Sequence, residues 1–268
     1  MTRYLVILGC FGLILLGGYF AFSKWAIRRE NVALFDKTRN RAIALEMTVL
    51  RDAENRARAG LAKLPVAIIS PGNTVKNTEY SFLTNVLAAR GYLVVSIQND
   101  LPTDIPLVTK SAELYEGRLP EYQRAERNIL YAINELKKFQ PNADYGRLTM
   151  VGHSNGGDIS MFFAQQHPDL VKMVVTLDNL RFPWLTSGRA KILSFRSKDW
   201  KPDRGVVPSE AQSIKAGITI VQTDAKHVEM SDRGPDRIKE SFGGTLDQFL
   251  NDHGTPLLVP DETGQPHP

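Results

Sequence analysis

The stretch "VGHSNGG" at residues 151–157 places a serine, Ser154, between Gly152 and Gly156. An apolar run precedes it and a helix-forming run follows it, so the pattern predicts a strand, a tight turn and a helix. Such a turn strains the backbone at the serine and projects its Oγ out of the sheet, and the glycines leave room for the neighbouring strand and helix. We therefore predict that Ser154 is a nucleophile on a nucleophile elbow rather than a serine of an ordinary loop.

The histidines supply the next requirement, because a serine hydroxyl is a poor nucleophile until a general base, itself oriented by an acid, takes its proton. Of the five histidines, His227 lies in a loop directly after a late predicted strand at 218–223, which makes it the candidate base. His153 precedes the nucleophile on the same strand, and we expect its side chain to point the other way. The remaining histidines lie at a helix end or near the C-terminus.

Two aspartates compete for the role of the acid. Asp178 ends the apolar run "VVTLD", and Asp199 follows the next predicted strand in "LSFRSKD". Both lie at carboxyl ends of strands, where active sites of open parallel sheets are found, so position alone does not choose between them. The apolar "NLRFPW" after Asp178 favours a carboxylate shielded from water, whereas Asp199 lies in a charged stretch. We expect Asp178 to be the acid and keep Asp199 as the alternative.

A tetrahedral intermediate of acyl transfer needs two backbone N–H donors for its oxyanion. The residue after the nucleophile, Asn155, is the first candidate. The second comes from the loop after the strand "VAIIS", where "SPGN" places Gly72 and Asn73 and where the glycine permits a close backbone approach. We predict an oxyanion hole made by the N–H groups of Asn73 and Asn155.

The rest of the chain must position these residues. Short apolar runs alternate with segments of helical spacing, which predicts a mostly parallel sheet with helices on both faces. An overlong connection at residues 100–120 is typical of a functional loop or a site cover. The predicted strands are residues 41–51, 64–70, 92–98, 147–153, 170–177, 190–196 and 218–223, and the predicted helices are residues 80–91, 121–139, 157–167 and 237–253.

Both ends of the 268-residue chain are predicted to lie outside the fold. Residues 4–22 carry no charge and have the length of a membrane-crossing helix, although a secretory signal segment is the competing interpretation. The protein is therefore expected to be anchored in a membrane by an N-terminal hydrophobic helix, or exported if that segment is cleaved; the side that the domain faces stays open. The predicted division is an anchor or signal at 1–24, a linker at 25–35, an α/β domain at 36–254 and a disordered, proline-rich tail at 255–268.

Composition narrows the function classes. The net charge is +4, but lysines and arginines are scattered among acids, so no basic stripe for nucleic acid is present and we expect no nucleic-acid partner. The single cysteine, Cys10, lies in the apolar N-terminal run, so the α/β domain has no disulfide and no thiolate metal site. No phosphate-binding loop, dinucleotide fingerprint or metal-ligand spacing is found, and we expect neither a metal nor a cofactor.

Residues 36–253 resemble the α/β hydrolases, and more narrowly the group of platelet-activating-factor acetylhydrolases and predicted dienelactone hydrolases, in "LPVAIISPGN", "GHSNGG", "LDNLRFPW" and the late histidine. The resemblance implies the α/β-hydrolase fold and the triad order Ser, Asp, His. The acetylhydrolase pattern maps the acid onto Asp178, and the dienelactone hydrolase pattern maps it onto Asp199. The chain departs from the family with "SPG" instead of "SHG" at the oxyanion loop, and from dienelactone hydrolases with serine instead of cysteine as nucleophile.

These observations predict a serine hydrolase that cleaves carboxylic esters through a Ser154–Asp178–His227 triad and an acyl-enzyme intermediate. The expected partners are a small-molecule ester, with acyl or lipid-like esters as candidates, and the membrane through the N-terminal helix. The alternatives are a non-catalytic binding protein of the same fold at the membrane, or a thioesterase or peptidase. Three aromatic residues near the expected mouth are candidates to line an acyl pocket: Phe182, Trp184 and Trp200.

Overall fold

The computed structural model describes residues 26–109, 114–186 and 189–253. The predicted anchor or signal segment at residues 4–22 and the predicted tail at 255–268 lie outside these ranges. None of the helices within these ranges has both the length and the hydropathy that a membrane span requires.

One eight-stranded sheet organises the described residues, in the order β1-β2-β4-β3-β5-β6-β7-β8. Strands β1 and β2 pair antiparallel, as do β2 and β4, and every other neighbouring pair is parallel. The predicted mostly parallel sheet is therefore confirmed. The strands are β1 Ile27–Asp36, β2 Arg41–Leu50, β3 Leu64–Ser70, β4 Leu93–Ile97, β5 Ala143–His153, β6 Val171–Leu177, β7 Lys191–Arg196 and β8 Ile218–Gln222.

Helices cover both faces of this sheet. The described α-helices are α1 Arg51–Arg58, α2 Ser81–Ala89, α3 Leu114–Phe139, α4 Asn155–Gln166, α5 Glu210–Ala216 and α6 Asp236–Asp252, and a short 3₁₀ turn spans His227–Glu229. One apolar cluster packs α1, α3 and α4 against the sheet. A second cluster packs α2 and α6 against the opposite face.

Strand β3 shows why the sequences of the central strands are continuous apolar runs. Ile68 belongs to one cluster, whereas its neighbours Ala67 and Ile69 belong to the other, and all three are fully buried. Successive side chains of a strand point to opposite faces, so a strand covered on both faces needs apolar residues at every position. This burial holds the carboxyl ends of β3, β5 and β6 side by side, where the candidate site lies.

The prediction of a linker at residues 25–35 is wrong, because residues 27–36 form β1 and pair with β2 over ten positions. The charged start "RREN" obscured the alternation of a strand, but an edge strand tolerates such charges on its exposed side. Val32 and Leu34 pack against the core, and the Arg28 guanidinium lies 2.7 Å from the Glu54 carboxylate of α1. The sheet therefore begins before the predicted domain boundary.

The helix predicted at 121–139 begins earlier, at Leu114, so the connection before it is shorter than expected. Pro120 lies inside this helix at its seventh residue, where it removes one backbone hydrogen bond and its ring crowds the carbonyl of Glu116. An ion pair holds the described part of the connection in place: the Arg41 guanidinium lies 2.7 Å from the Asp104 carboxylate. The hydrogen bond from Arg41 outweighs partial burial and lowers the pKa of Asp104 to about 2.

Candidate active site

Ser154 lies on a sharp turn between β5 and α4. Its backbone has φ 53° and ψ −120°, in the left-handed half of conformational space that a residue with a side chain rarely adopts. The Ser154 N–H donates to the Leu177 carbonyl at 2.8 Å, which ties the turn to β6. A Cβ atom on Gly152 would overlap the Gly156 carbonyl, and one on Gly156 would overlap the carbonyl of Ser70. The local geometry therefore depends on both glycines.

His227 lies between Ser154 and Asp178. Its Nε2 is 2.9 Å from the Ser154 Oγ, and its Nδ1 is 2.6 Å from the Asp178 Oδ2. Both the imidazole and the carboxylate are buried, at 6% and 0% exposure. With the proton on Nδ1 donated to the carboxylate, Nε2 is left as an acceptor for the serine hydroxyl. Three predicted site residues thus form one hydrogen-bonded chain.

The Asp178 carboxylate has two further partners besides the histidine. Its Oδ1 accepts a hydrogen bond from the Ser197 N–H at 3.1 Å and lies 2.9 Å from the Arg196 Nη2, an ion contact without good hydrogen-bond alignment. Burial alone would raise the pKa of Asp178, but the hydrogen bond from His227 and the charge of Arg196 together hold it below the ordinary value. The carboxylate is therefore kept ionised beside the imidazole.

Asp199, the alternative acid, contacts a different part of the same histidine. Its Oδ1 accepts a hydrogen bond from the backbone N–H of His227 at 2.8 Å. The carboxylate thus fixes the loop that carries His227, whereas the imidazole ring bonds to Asp178.

The candidate oxyanion donors lie on either side of Ser154. Asn155 is the first residue of α4, and the N–H groups of a first helical turn have no acceptor within the helix. The Gly72 N–H already donates to the Tyr80 hydroxyl at 2.8 Å. Asn73 lines the cavity in front of Ser154, and no hydrogen bond from its N–H to another described residue is found. The N–H groups of Asn73 and Asn155 therefore remain the candidates.

His153 does not point away from the site as predicted. Its Nδ1 lies 3.0 Å from the Tyr80 hydroxyl, and its Nε2 lies 3.0 Å from the carbonyl oxygen of His227. With Nε2–H as donor and Nδ1 as acceptor, a continuous chain runs from the Gly72 N–H through Tyr80 and His153 to the loop of His227. Burial, helped by the charge of His227, lowers the pKa of His153 to about 3. A neutral imidazole thus connects the two loops that flank Ser154.

A cavity of about 340 Å³ opens in front of Ser154 and His227. Trp200 lines it as predicted, but Phe182 and Trp184 are buried at 1% and 5% exposure in the core. Phe182 packs edge-on against the aromatic rings of α3 and α4, which explains its burial. The described lining also includes two guanidinium groups and several apolar side chains: Arg118, Arg181, Leu107, Leu180 and Val228.

Glu121 was not anticipated from the sequence. Its carboxylate accepts a hydrogen bond from the side-chain amide of Asn155, and it lines a second cavity of about 210 Å³ that shares Asn73 and Leu107 with the first. Burial, followed by the charge of Asp100, raises the pKa of Glu121 to about 7. No sequence motif marks it, and its neighbourhood depends on how α3 packs on α4. Within the described ranges, no group of three His, Cys, Asp or Glu side chains is placed to hold a metal ion.

Comparison with known proteins agrees with this architecture. A family model described as "alpha/beta hydrolase fold" matches residues 122–198, which include the elbow and the end of β6. A dienelactone hydrolase-like promiscuous phosphotriesterase, P91 from metagenomic libraries, superposes with a TM-score of 0.62 at 14% identity over 85% of this chain and 99% of that one. The chain has the α/β-hydrolase fold.

Two further solved structures share this α/β-hydrolase fold. A putative dienelactone hydrolase from Klebsiella pneumoniae subsp. pneumoniae gives a TM-score of 0.57 at 15% identity, covering 84% of this chain and 98% of that one. Est1E from Butyrivibrio proteoclasticus gives a TM-score of 0.57 at 14% identity, covering 83% and 98%. No curated protein matches the chain by sequence. The predicted resemblance to α/β hydrolases, dienelactone hydrolases among them, is confirmed at the level of the fold.

Proposed function

We propose that this protein is a serine hydrolase that cleaves carboxylic esters. The observation that carries the proposal is the hydrogen-bonded chain from Ser154 Oγ to His227 Nε2 at 2.9 Å and from His227 Nδ1 to Asp178 at 2.6 Å, which opens into a cavity. A buried, ionised carboxylate that fixes the tautomer of a histidine beside a serine is the arrangement that activates a serine hydroxyl.

In the proposed reaction, His227 takes the proton of Ser154 as the hydroxyl oxygen attacks the ester carbonyl. The imidazolium that forms is stabilised by Asp178, and the oxyanion accepts hydrogen bonds from the N–H groups of Asn73 and Asn155. His227 then gives the proton to the departing alkoxide, which leaves an acyl-enzyme on Ser154. A water molecule, deprotonated by the same histidine, attacks the acyl group; the bond to Ser154 Oγ then breaks, His227 returns the proton to Oγ, and the carboxylic acid leaves.

The substrate is proposed to be a small-molecule ester. A volume of about 340 Å³ lies near the lower end of the range for ligand pockets. The solved structures of the same fold include esterase Est22, which supports esters as the substrate class. We expect a panel of acyl esters of increasing chain length to show falling kcat/KM once the acyl group exceeds the cavity.

A fluorophosphonate probe tests the proposal on the full-length protein. We expect covalent labelling of Ser154, located by peptide mass spectrometry, and loss of both labelling and ester hydrolysis in Ser154→Ala. Ser241→Ala, at an exposed position of α6, is the matched control and should keep both. Folded protein that is not labelled would favour a non-catalytic binding protein, and cleavage of thioesters or amides but not of oxygen esters would favour a thioesterase or a peptidase.

For residues 1–24 we propose either a membrane anchor or an export signal, from the uncharged run at 4–22. An anchor predicts that the protein resists carbonate extraction from membranes and keeps its N-terminal mass. A mature product that begins near Lys24 would replace the anchor by a signal segment and place the enzyme outside the cytoplasmic membrane.

A further inference from the structure

The indole of Trp200 lies flat on the imidazole of His227, with ring centroids 4.4 Å apart and an angle of 14° between the planes. The turn that carries the indole is fastened to the histidine loop. The Trp200 N–H donates to the Ser197 hydroxyl at 3.1 Å, and the Lys198 N–H donates to the Ala225 carbonyl at 3.0 Å. Together with the bond from the His227 N–H to Asp199, these contacts hold the two segments that carry the rings next to each other.

The stacked geometry matters because of what happens to the imidazole during the proposed reaction. Both ring nitrogens of His227 are occupied, one by Ser154 and one by Asp178, so neither is free for a further partner, and Trp200 contacts a ring face. The π-system of Trp attracts a cation above its face, and the attraction is stronger where water is partly excluded. A neutral imidazole gains little from this contact, whereas the imidazolium of the transition state gains from it.

We propose that Trp200 is a positioning residue that stabilises the protonated form of His227 during catalysis, and so contributes to kcat rather than only forming a wall of the substrate cavity. The proposal rests on the proposed serine hydrolase function. An interaction that strengthens only as the proton moves onto the histidine lowers the barrier without tightening substrate binding.

Other charged groups also face this histidine, and they define the controls. The Asp178 carboxylate, with Arg196 beside it, lies at Nδ1 of His227, and the Asp199 carboxylate lies at the backbone N–H of His227. His153, with ring centroids 5.0 Å away, stays neutral at ordinary pH because of its low pKa. Glu121, bonded to the side chain of Asn155, titrates in the same pH range as a free imidazole. Further charges come from the guanidinium groups that line the cavity, namely Arg118 and Arg181.

The first test is kinetic and uses the full-length protein with Trp200→Phe and Trp200→Leu. Trp200 is 47% exposed, so neither change removes a core side chain. We expect kcat for Trp200→Leu to fall by roughly three- to tenfold, and the acid limb of the pH profile of kcat/KM to move to lower pH by about half a unit, because the imidazolium loses its π partner. Trp200→Phe should lie between, since its ring is a weaker π donor.

The Trp200 variants are compared in the background Glu121→Gln, because this change removes the carboxyl group whose pKa of about 7 would otherwise contribute to the acid limb. A change confined to KM that depends on acyl chain length, with kcat and the acid limb unchanged, would show that Trp200 only lines the cavity and would overturn the proposal.

A second test needs no turnover. Protonated imidazole quenches the fluorescence of a stacked indole, so in Ser154→Ala combined with Trp25→Phe and Trp184→Phe, which leaves Trp200 as the one tryptophan of the sequence, the emission should fall as the pH is lowered. The fall should vanish when Trp200→Phe or His227→Gln is added. Emission that does not depend on His227 would contradict the proposed contact. This measurement distinguishes the proposed role of Trp200 from the proposed hydrolase function. Quenching in a protein that a fluorophosphonate does not label would support the contact between Trp200 and His227 and contradict the hydrolase function.

Discussion

The backbone N–H of His227 donates a hydrogen bond of 2.8 Å to the carboxylate of Asp199. The ring of the same residue bonds to the other candidate acid, Asp178, at 2.6 Å. Two carboxylates therefore hold one histidine at two points, one through its backbone and one through its imidazole. Their replacement should have different consequences.

Asp178→Asn should lower kcat by about 10⁴, because an amide at this position favours the wrong tautomer of His227. Asp199→Asn should cost less than about tenfold, since the amide oxygen can still accept the backbone hydrogen bond. The measurement is kcat with a short-chain ester, on proteins whose melting curves show that they are folded. A larger loss for Asp199→Asn than for Asp178→Asn would move the role of the acid to Asp199.

Arg196→Met should destabilise the protein by about 3–5 kcal/mol, because the Asp178 carboxylate would stay buried without its cationic neighbour. Arg196→Lys should cost less, since an ammonium keeps the charge but cannot also bind the Asn179 carbonyl, 2.8 Å from Nη1, in the same geometry. The free energy of unfolding from urea titration at neutral pH gives both values. A loss below about 1 kcal/mol for Arg196→Met would show that the ion contact contributes little.

Gly156→Ala should prevent formation of the elbow, because the new methyl group would overlap the backbone carbonyl of Ser70 and no side-chain rotation relieves that overlap. We expect a protein that is unfolded or not labelled by a fluorophosphonate. Gly244→Ala is the matched control: the position lies in α6 with open space around it, and the change should stabilise the protein by roughly 0.5–1 kcal/mol. A Gly156→Ala protein with wild-type labelling would contradict the close packing at the turn.

His153 should make the protein less stable in acid. Its pKa is about 3 in the folded protein against an ordinary value of 6.5, so below pH 6.5 the unfolded chain takes up a proton that the folded chain does not. The free energy of unfolding should therefore fall by roughly 1.4 kcal/mol for each pH unit below that point on account of this residue. In His153→Gln, which does not titrate, the fall between pH 6.5 and pH 5 should be about 1.6 kcal/mol smaller. Equal slopes for both proteins in urea titrations would show that His153 is protonated in the folded state.

The elements that position the site were predictable because their signals are local. The apolar runs of β3 to β7 mark strands covered on both faces, and the elbow around Ser154 carries its glycines within five residues. Helix α5 also has local sequence signals at both ends, but it is too short to be recognised from them alone. Ser209 and Gln212 form a capping box, and Gly217 ends the helix with φ 64°, but seven residues are too few for helical periodicity to show.

Other features depend on contacts between distant segments. His153 is the last residue of β5, where the chain enters the elbow and the alternation of a strand no longer fixes the direction of a side chain. Its partners, Tyr80 and the carbonyl of His227, come from loops far away in sequence. Phe182 and Trp184 follow Asp178 as an apolar cover, as expected, but whether such residues face the cavity or the core depends on the packing of α3 and α4.

The direction of β1 has a consequence for how the molecule can be attached to a surface. Ile27 pairs with Leu50, and this end of β2 lies away from the carboxyl end of β4. The chain therefore enters the sheet at the opposite end of the strands from Ser154. A strand of ten residues places this point roughly 30 Å away along the sheet. A tag, a bead or a bilayer joined to the residues before β1 would hold the protein with the opening of its cavity turned outward. A substrate would then reach Ser154 from the side that faces away from the point of attachment.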